Sequence, residues 1–222
     1  IIGLGLKVCI EKDYANHIGI KDTDYKDAGA EIKKSSNEVF NYCNLLVKVN
    51  CPSQNEINNL KEKTNLIGML NPSKNKNLIN EIIKKNVNAF SLELLPRISR
   101  AQSMDVLSSQ SNLAGYRAVV DCVFEFEKAI PMMMTAAGTV PAAKVLIIGA
   151  GVAGLQAIAT AKRLGAIVSA TDVRAASKEQ VESLGGKFLT VEQSEDMETS
   201  SGYAKETSDN YKKKQAEMMR DA

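Results

Sequence analysis

The sequence has no tryptophan, few aromatics of any kind (5 %) and a single histidine, His17. So thin an aromatic supply gives no platform for stacking nucleobases. Histidine is the side chain that ordinarily titrates near neutral pH. With only His17, in a polar segment that reads as surface, the chain has little means of general acid–base chemistry. Charge of one sign is lacking as well: 28 Lys and Arg stand against 26 Asp and Glu, a net of +2. That balance makes no case for nucleic acid. The short lysine runs at Lys33-Lys34, Lys84-Lys85 and Lys212 to Lys214 read as solvated helix faces. Cysteine is sparse and scattered, at Cys9, Cys43, Cys51 and Cys122, with no C-x-x-C. Neither a zinc centre nor a redox pair is suggested, and the four read as free core thiols in a reducing compartment. No unbroken apolar run is long enough to span a bilayer, since the longest, 145–161, is interrupted by three glycines and Gln156. No stretch reads as a secretory signal. The chain opens without Met on Ile1-Ile2-Gly3 and stops in a charged helical pattern, so both ends read as cut from something longer.

What is present is concentrated at 144–174, KVLIIGAGVAGLQAIATAKRLGAIVSATDVR. Residues 145–148 form a short apolar strand. Gly149, Gly151 and Gly154 make a G-x-G-x-x-G turn, 155–164 an Ala-rich helix, 166–170 a second strand, and Asp172 stands at its end. The motif alone is weak. Set between strand and helix, with an acid eighteen positions past its last glycine, it is a strong dinucleotide signature. Gly149 permits the tight turn, Gly151 lets the backbone approach a pyrophosphate, and Gly154 lets helix and strand pack closely. The helix start then offers N–H groups and a positive dipole end to phosphates. Asp172 can accept from a ribose 2′-hydroxyl and would repel a 2′-phosphate, which favours NAD over NADP. Arg174 weakens that preference, because a nearby arginine can serve a 2′-phosphate.

Elsewhere the first 95 residues alternate apolar strands (6–10, 45–49, 66–70, 87–92) with helix-like stretches (24–29, 37–41, 55–63, 76–86). Such alternation predicts parallel sheet with crossover helices. Residues 100–128 read as one long helix closed by Pro131, followed by a connector whose Met132-Met133-Met134 run reads as packing between two domains. After Asp172 come a short helix at 177–183, a strand at 187–191, a polar loop at 193–202 and an amphipathic lysine-rich helix at 203–219. A full dinucleotide fold needs about three more strands, so the second domain reads as truncated.

A second polar stretch, PRISRAQSMDVLSSQSNLAGYRAVV at 96–120, leads into the long helix. Gln102 and Asp105, with Ser108 and Ser109 one turn on, would share a face of that helix and present amide, carboxylate and hydroxyls together. Taken singly, each has a plainer structural role, such as a helix cap.

Together with PMMMTAAGTVPAAK and the GYAKE and KKKQAE segments near the end, these motifs resemble the alanine dehydrogenase/transhydrogenase family. Within it the chain looks like the NAD(H)-binding domain of proton-translocating NAD(P) transhydrogenases. The resemblance is dense over 93–219 and looser over 1–92. It implies an α/β fold of two Rossmann-like domains with parallel sheets joined by a long helix: an N-terminal α/β domain at 1–118 and an NAD(H)-binding domain, incomplete, at 119–222. It implies that Arg97, Asp105 and Ser108 hold the nicotinamide and its carboxamide. Gln102 would reach toward a nucleotide on a partner domain. Gly149, Gly151, Val152, Ala153, Gly154, Asp172 and Arg174 fall on the dinucleotide site. It further implies a homodimer that docks on an NADP(H)-binding domain, direct hydride transfer between NAD(H) and NADP(H), and a separate membrane domain coupling this to proton translocation. The chain would then be a soluble peripheral domain of an inner-membrane-type complex, mitochondrial, bacterial or of another organelle. Hydride exchange between two nicotinamides needs no base, which agrees with the shortage of histidine.

Two other readings stand beside this one. Alanine dehydrogenase is a sibling that uses a histidine after its third strand and a substrate lysine. Lys48 suits the lysine, but Met69, in LIGMLNP, falls at the histidine position. The chain could also be a non-catalytic nucleotide-binding fragment.

Overall fold

A computed structural model describes residues 1–96, 98–191 and 209–220. The chain divides into two compact units, Ile1–Val106 and Leu107–Ala222.

In the first unit, β1 (Cys9–Glu11) is followed by α1 (Asp22–Asp27), and β2 (Glu31–Lys33) returns parallel to β1. Then α2 (Ser36–Tyr42), β3 (Leu45–Asn50), α3 (Gln54–Asn59), β4 (Asn65–Met69), α4 (Lys76–Lys84) and β5 (Asn88–Ser91) alternate. Strands β3, β4 and β5 form a parallel sheet in that order. Strictly sequential parallel pairing demands a crossover between each pair of strands, and α3 and α4 supply it. Their inward residues close a core of Phe40, Leu46, Ile57, Leu60, Leu66, Leu70, Ile82 and Val87. Each large side chain buried there contributes about 1.5–3 kcal/mol. Gly68 sits where a Cβ would stand 2.5 Å from the Lys48 carbonyl oxygen, so β3 and β4 approach closely only because that side chain is missing.

The second unit takes in nearly all of α5 (Val106–Phe126), followed by a hairpin of β6 (Met133–Thr135) and β7 (Gly138–Val140). Next come β8 (Lys144–Ile148), α6 (Val152–Arg163), β9 (Ile167–Thr171), α7 (Ser177–Ser183), β10 (Lys187–Leu189) and α8 (Asp209–Arg220). The strands run parallel in the order β10-β9-β8. Val119, Ile130, Ala157, Ile158, Ala161, Val168 and Val181 lie in the core. Alanines on the inner face of α6 let the helix lie low on the sheet. Among the described residues no helix is long and apolar enough to cross a membrane.

The α/β reading with parallel sheets and a long helix is what the structure has, but several local expectations need correction. Strand β2, whose sequence is Glu-Ile-Lys, lacks the apolar run that would have announced it. The helix expected over 100–128 is two elements. A 3₁₀ helix spans Ser99–Met104, Asp105 breaks it with ψ 86°, and α5 starts at Val106. Met132, Met133 and Met134 are exposed, the latter two in the first strand of the hairpin. Cys122 is exposed and the other three cysteines are half-buried; Cys43 and Cys51 pack against the first unit's core without being enclosed in it. The strand at 187–191 ends at Leu189. The loop predicted at 193–202 and the start of the helix predicted at 203 fall outside the described residues.

Candidate functional site

The β8–α6 turn is built so that the backbone does what side chains do elsewhere. Gly149 has φ +93°, a conformation L side chains rarely adopt, and its N–H donates to the Thr171 carbonyl oxygen at 2.8 Å. A Cβ on Gly154 would collide with the Gly149 carbonyl oxygen, so the helix can start this close to its own strand only with glycine there. Gly151 is different. Among the described residues, the one atom near the position its Cβ would take is Arg174 Nη2, at 3.9 Å. Among the described residues nothing forbids a side chain at 151. Gly151 is also the N-cap of α6, and among the described residues no side chain caps the helix. Val152 is exposed and Ala153 half-buried on the first turn. The bare cradle at Gly151 and the uncapped α6 start are a fit for a ligand's phosphates, since helix starts carry donors and positive potential.

Asp172 lies just beyond β9, its side chain only 6 % exposed. Its Oδ2 accepts from the Ala150 N–H at 2.7 Å, tying β9 to the glycine turn. Its Oδ1 accepts from the Arg174 N–H at 2.9 Å. The Arg174 guanidinium closes on the same carboxylate, Nε to Oδ1 at 2.9 Å and Nη2 to Oδ2 at 3.0 Å. Burial alone would push this carboxyl up. The guanidinium, then the backbone N–H groups of Arg174 and Ala150, outweigh it and hold Asp172 below the usual aspartate value.

The other predicted residues sit on the approach to α5. Gln102 is exposed in the 3₁₀ helix, while Asp105, half-buried, ends it and donates its N–H to the Gln102 carbonyl oxygen at 3.2 Å. Ser108 is half-buried in the first turn of α5. The break at Asp105 means that Gln102, Asp105 and Ser108 do not share the face of one α-helix, as their spacing had suggested. Arg97 lies outside the described residues. His17 is exposed in a short 3₁₀ turn. Lys48, the lysine considered for an alanine dehydrogenase, is ion-paired to Glu56 Oε1 at 2.5 Å.

The spacing left two supports of the turn unseen. Gly115 on α5 sits where a Cβ would collide with the Ala153 carbonyl oxygen, and Asn112 Nδ2 donates to Gln156 Oε1 at 3.1 Å. Together they press α5 onto the first turns of α6. A glycine inside the helical pattern LAGYRAVV was the one available hint. An apolar cavity of about 440 Å³ opens beside β8, lined by Val119, Val123, Ile130, Val145 and Ile147 among others, and includes none of the predicted site residues.

Parallel strands in sequential order, a glycine turn into an uncapped helix and an acid after the next strand make this a Rossmann-like α/β protein. The family model for the alanine dehydrogenase/PNT N-terminal domain matches residues 1–114, and that for the C-terminal domain matches 118–219. The chain belongs to the alanine dehydrogenase/PNT family. It is 52 % identical over 226 residues to an NAD(P) transhydrogenase subunit alpha chain of Rhodospirillum rubrum, an alignment covering 99 % of this chain and 59 % of that protein. Among solved structures, transhydrogenase from Sinorhizobium meliloti superposes with a TM-score of 0.81 at 50 % identity, over 85 % of this chain and 56 % of that one. An L-alanine dehydrogenase follows with 0.72 at 25 %, over 85 % and 53 %. The chain thus spans under two thirds of the length of these relatives.

Proposed function

We propose that this chain is the NAD(H)-binding part of an NAD(P) transhydrogenase. It would work as a homodimer, exchanging hydride with NADP(H) held on a partner domain, in a complex whose membrane domain couples the exchange to proton translocation. The observation that carries the reading is the β8–α6 turn with its open space at Gly151, no side-chain cap on α6 and an ionised acid beyond β9. Sequence identity of 52 % over 99 % of the chain to a transhydrogenase subunit supports it.

In this reading Gly149, Gly151 and Gly154, with Val152 and Ala153, receive a pyrophosphate at the start of α6. Asp172 accepts ribose hydroxyls and disfavours a 2′-phosphate, with Arg174 beside it. Arg97, Asp105 and Ser108 hold the nicotinamide and its carboxamide, and Gln102 reaches to the partner's nucleotide. The bound dinucleotide supplies the hydride chemistry. Exchange between two nicotinamides moves no proton, so the task of these residues is orientation and none has to act as a base. An alanine dehydrogenase reading is less well served, because Lys48 is engaged by Glu56.

The test uses the full-length protein with its partner domain. Gln102→Asn is expected to slow hydride exchange about tenfold or more while NADH affinity changes by less than about twofold. Equal losses in both would overturn the role given to Gln102. Incubation with alanine and NAD is expected to yield no NADH, and appreciable NADH formation would overturn the transhydrogenase reading itself.

A further inference from the structure

An ionised carboxylate has about four lone-pair positions. At Asp172 the chain itself fills four: Oδ1 takes the Arg174 N–H and Nε–H, and Oδ2 takes the Ala150 N–H and the Arg174 Nη2–H. Two of these donors are backbone groups, fixed by the turn. The other two belong to one guanidinium, so rotation of one side chain would remove both together. The same guanidinium is what Gly151 faces, its Nη2 standing 3.9 Å from where a Cβ would be. A hydroxyl-bearing ligand entering the glycine turn therefore meets an acid whose acceptor positions are already taken, and meets the group that has taken them.

Resting on the dinucleotide reading above, we infer that Arg174 is an intramolecular competitor of the ribose and sets the affinity of this site. Binding exchanges the two guanidinium N–H donors on Asp172 for two ribose O–H donors, while the Ala150 and Arg174 backbone N–H groups stay and hold the carboxylate in place. The number of hydrogen bonds at Asp172 is conserved, so the acid is never stranded in a buried position without donors. The affinity is lowered by the fraction of molecules whose guanidinium is still closed on Asp172. A ligand with a 2′-phosphate cannot make the exchange, because it brings an anion rather than a donor to Asp172. Its one gain is the released guanidinium. Arg174 therefore acts in opposite directions on the two kinds of dinucleotide, as obstacle to one and partner to the other.

A simple ligand-contact role for Arg174 would give the opposite sign: its removal would weaken NADH binding. Equilibrium titration of the full-length chain with NADH and with NADPH, by nicotinamide fluorescence, compares the wild-type protein with Arg174→Leu. The Leu variant is expected to bind NADH about three- to tenfold tighter, and NADPH no tighter, with a faster association rate for NADH. Arg174→Gln, which leaves a neutral and more polar side chain, is scored in the same way should the Leu variant fold poorly, and Arg174→Lys, lacking the planar fork, is expected to fall between Leu and wild type. Unchanged or weaker NADH binding in folded Leu and Gln variants, while the wild-type protein still binds, would overturn the competitor role and leave the dinucleotide reading standing. Absence of NADH binding in the wild-type protein would overturn both.

Discussion

Two turns in this molecule do the same topological job by opposite means. Each leads from a parallel strand into a crossover helix: β3 into α3 in the first unit, β8 into α6 in the second. The α3 start is closed by the chain itself. Ser53 Oγ accepts from the Glu56 N–H at 3.4 Å, and Glu56 Oε2 accepts from the Ser53 N–H at 2.7 Å, a reciprocal capping box. Glu56 also holds Lys48, so cap and ion pair are one cluster. The α6 start has glycine where α3 has serine and, among the described residues, no side-chain cap. An uncapped start alone is no signature, since α4 also lacks a side-chain cap at Asn75. What sets the α6 turn apart is the combination of an open cradle at Gly151 with an ionised acid delivered by the next strand. The comparison separates residues that the fold requires from residues that only an incoming ligand requires.

The largest expected effect lies on the fold-requiring side. Gly154→Val drives a side chain into the Gly149 carbonyl, and overpacking against rigid backbone should cost about 3 kcal/mol or more. Urea unfolding followed by circular dichroism is the check. A wild-type transition would mean that the close approach of α6 to β8 is not a constraint. Gly151→Ser should behave in the contrary way. With room for the side chain and an extended ψ of −168° at Gly151, the variant imports the α3 solution into α6. Stability should change by less than about 0.5 kcal/mol, while NADH affinity falls about tenfold, roughly 1.4 kcal/mol. Unaltered NADH binding in that variant would erase the distinction between the two turns.

The smallest effect is a shared response to acid. Asp172 and Glu56 are both held below their ordinary values of 3.8 and 4.5 despite burial that opposes this, the first mainly by Arg174 and the second mainly by Lys48. A carboxylate with a lowered folded value stabilises fully above its unfolded value, and that contribution is lost as pH falls through the folded one. Melting temperature should therefore decline below about pH 4 to 5. Asp172→Asn should remove the part of the decline that belongs to the second unit, and an identical pH profile would show that the Arg174 pair adds nothing to stability.

How much of this was legible depends on what each feature is made of. The β8–α6–β9 unit could be read because its strand is apolar and its turn is spelled in glycine, so composition and conformation coincide. Strand β2 could not, since Glu-Ile-Lys is held by pairing with β1 rather than by burial of an apolar run. The long helix was over-extended at its start because its apolar stripe begins only at Val106, and no residue type before it marks the backbone break at Asp105. At the candidate site, sequence named Asp172 and Arg174 but not that they satisfy each other. Two residues apart in the chain, they could equally have pointed to opposite sides. Gly115 could be noticed as a glycine inside a helical pattern, but not what it is for. What it accommodates is the carbonyl of Ala153, thirty-eight positions away, and no local signal carries that distance.

That last contact has a mechanical consequence. Side chains that touch can yield by changing rotamer, and a seam of them behaves as a soft spring. At Gly115 the backbone of α5 lies directly against the backbone of α6, with no side chain between to yield. A strut of this kind has almost no play, and close-packed interiors transmit strain rather than absorb it. The first turn of α6 is thereby held to α5, the helix that carries Ser108, by backbone rather than by side chains.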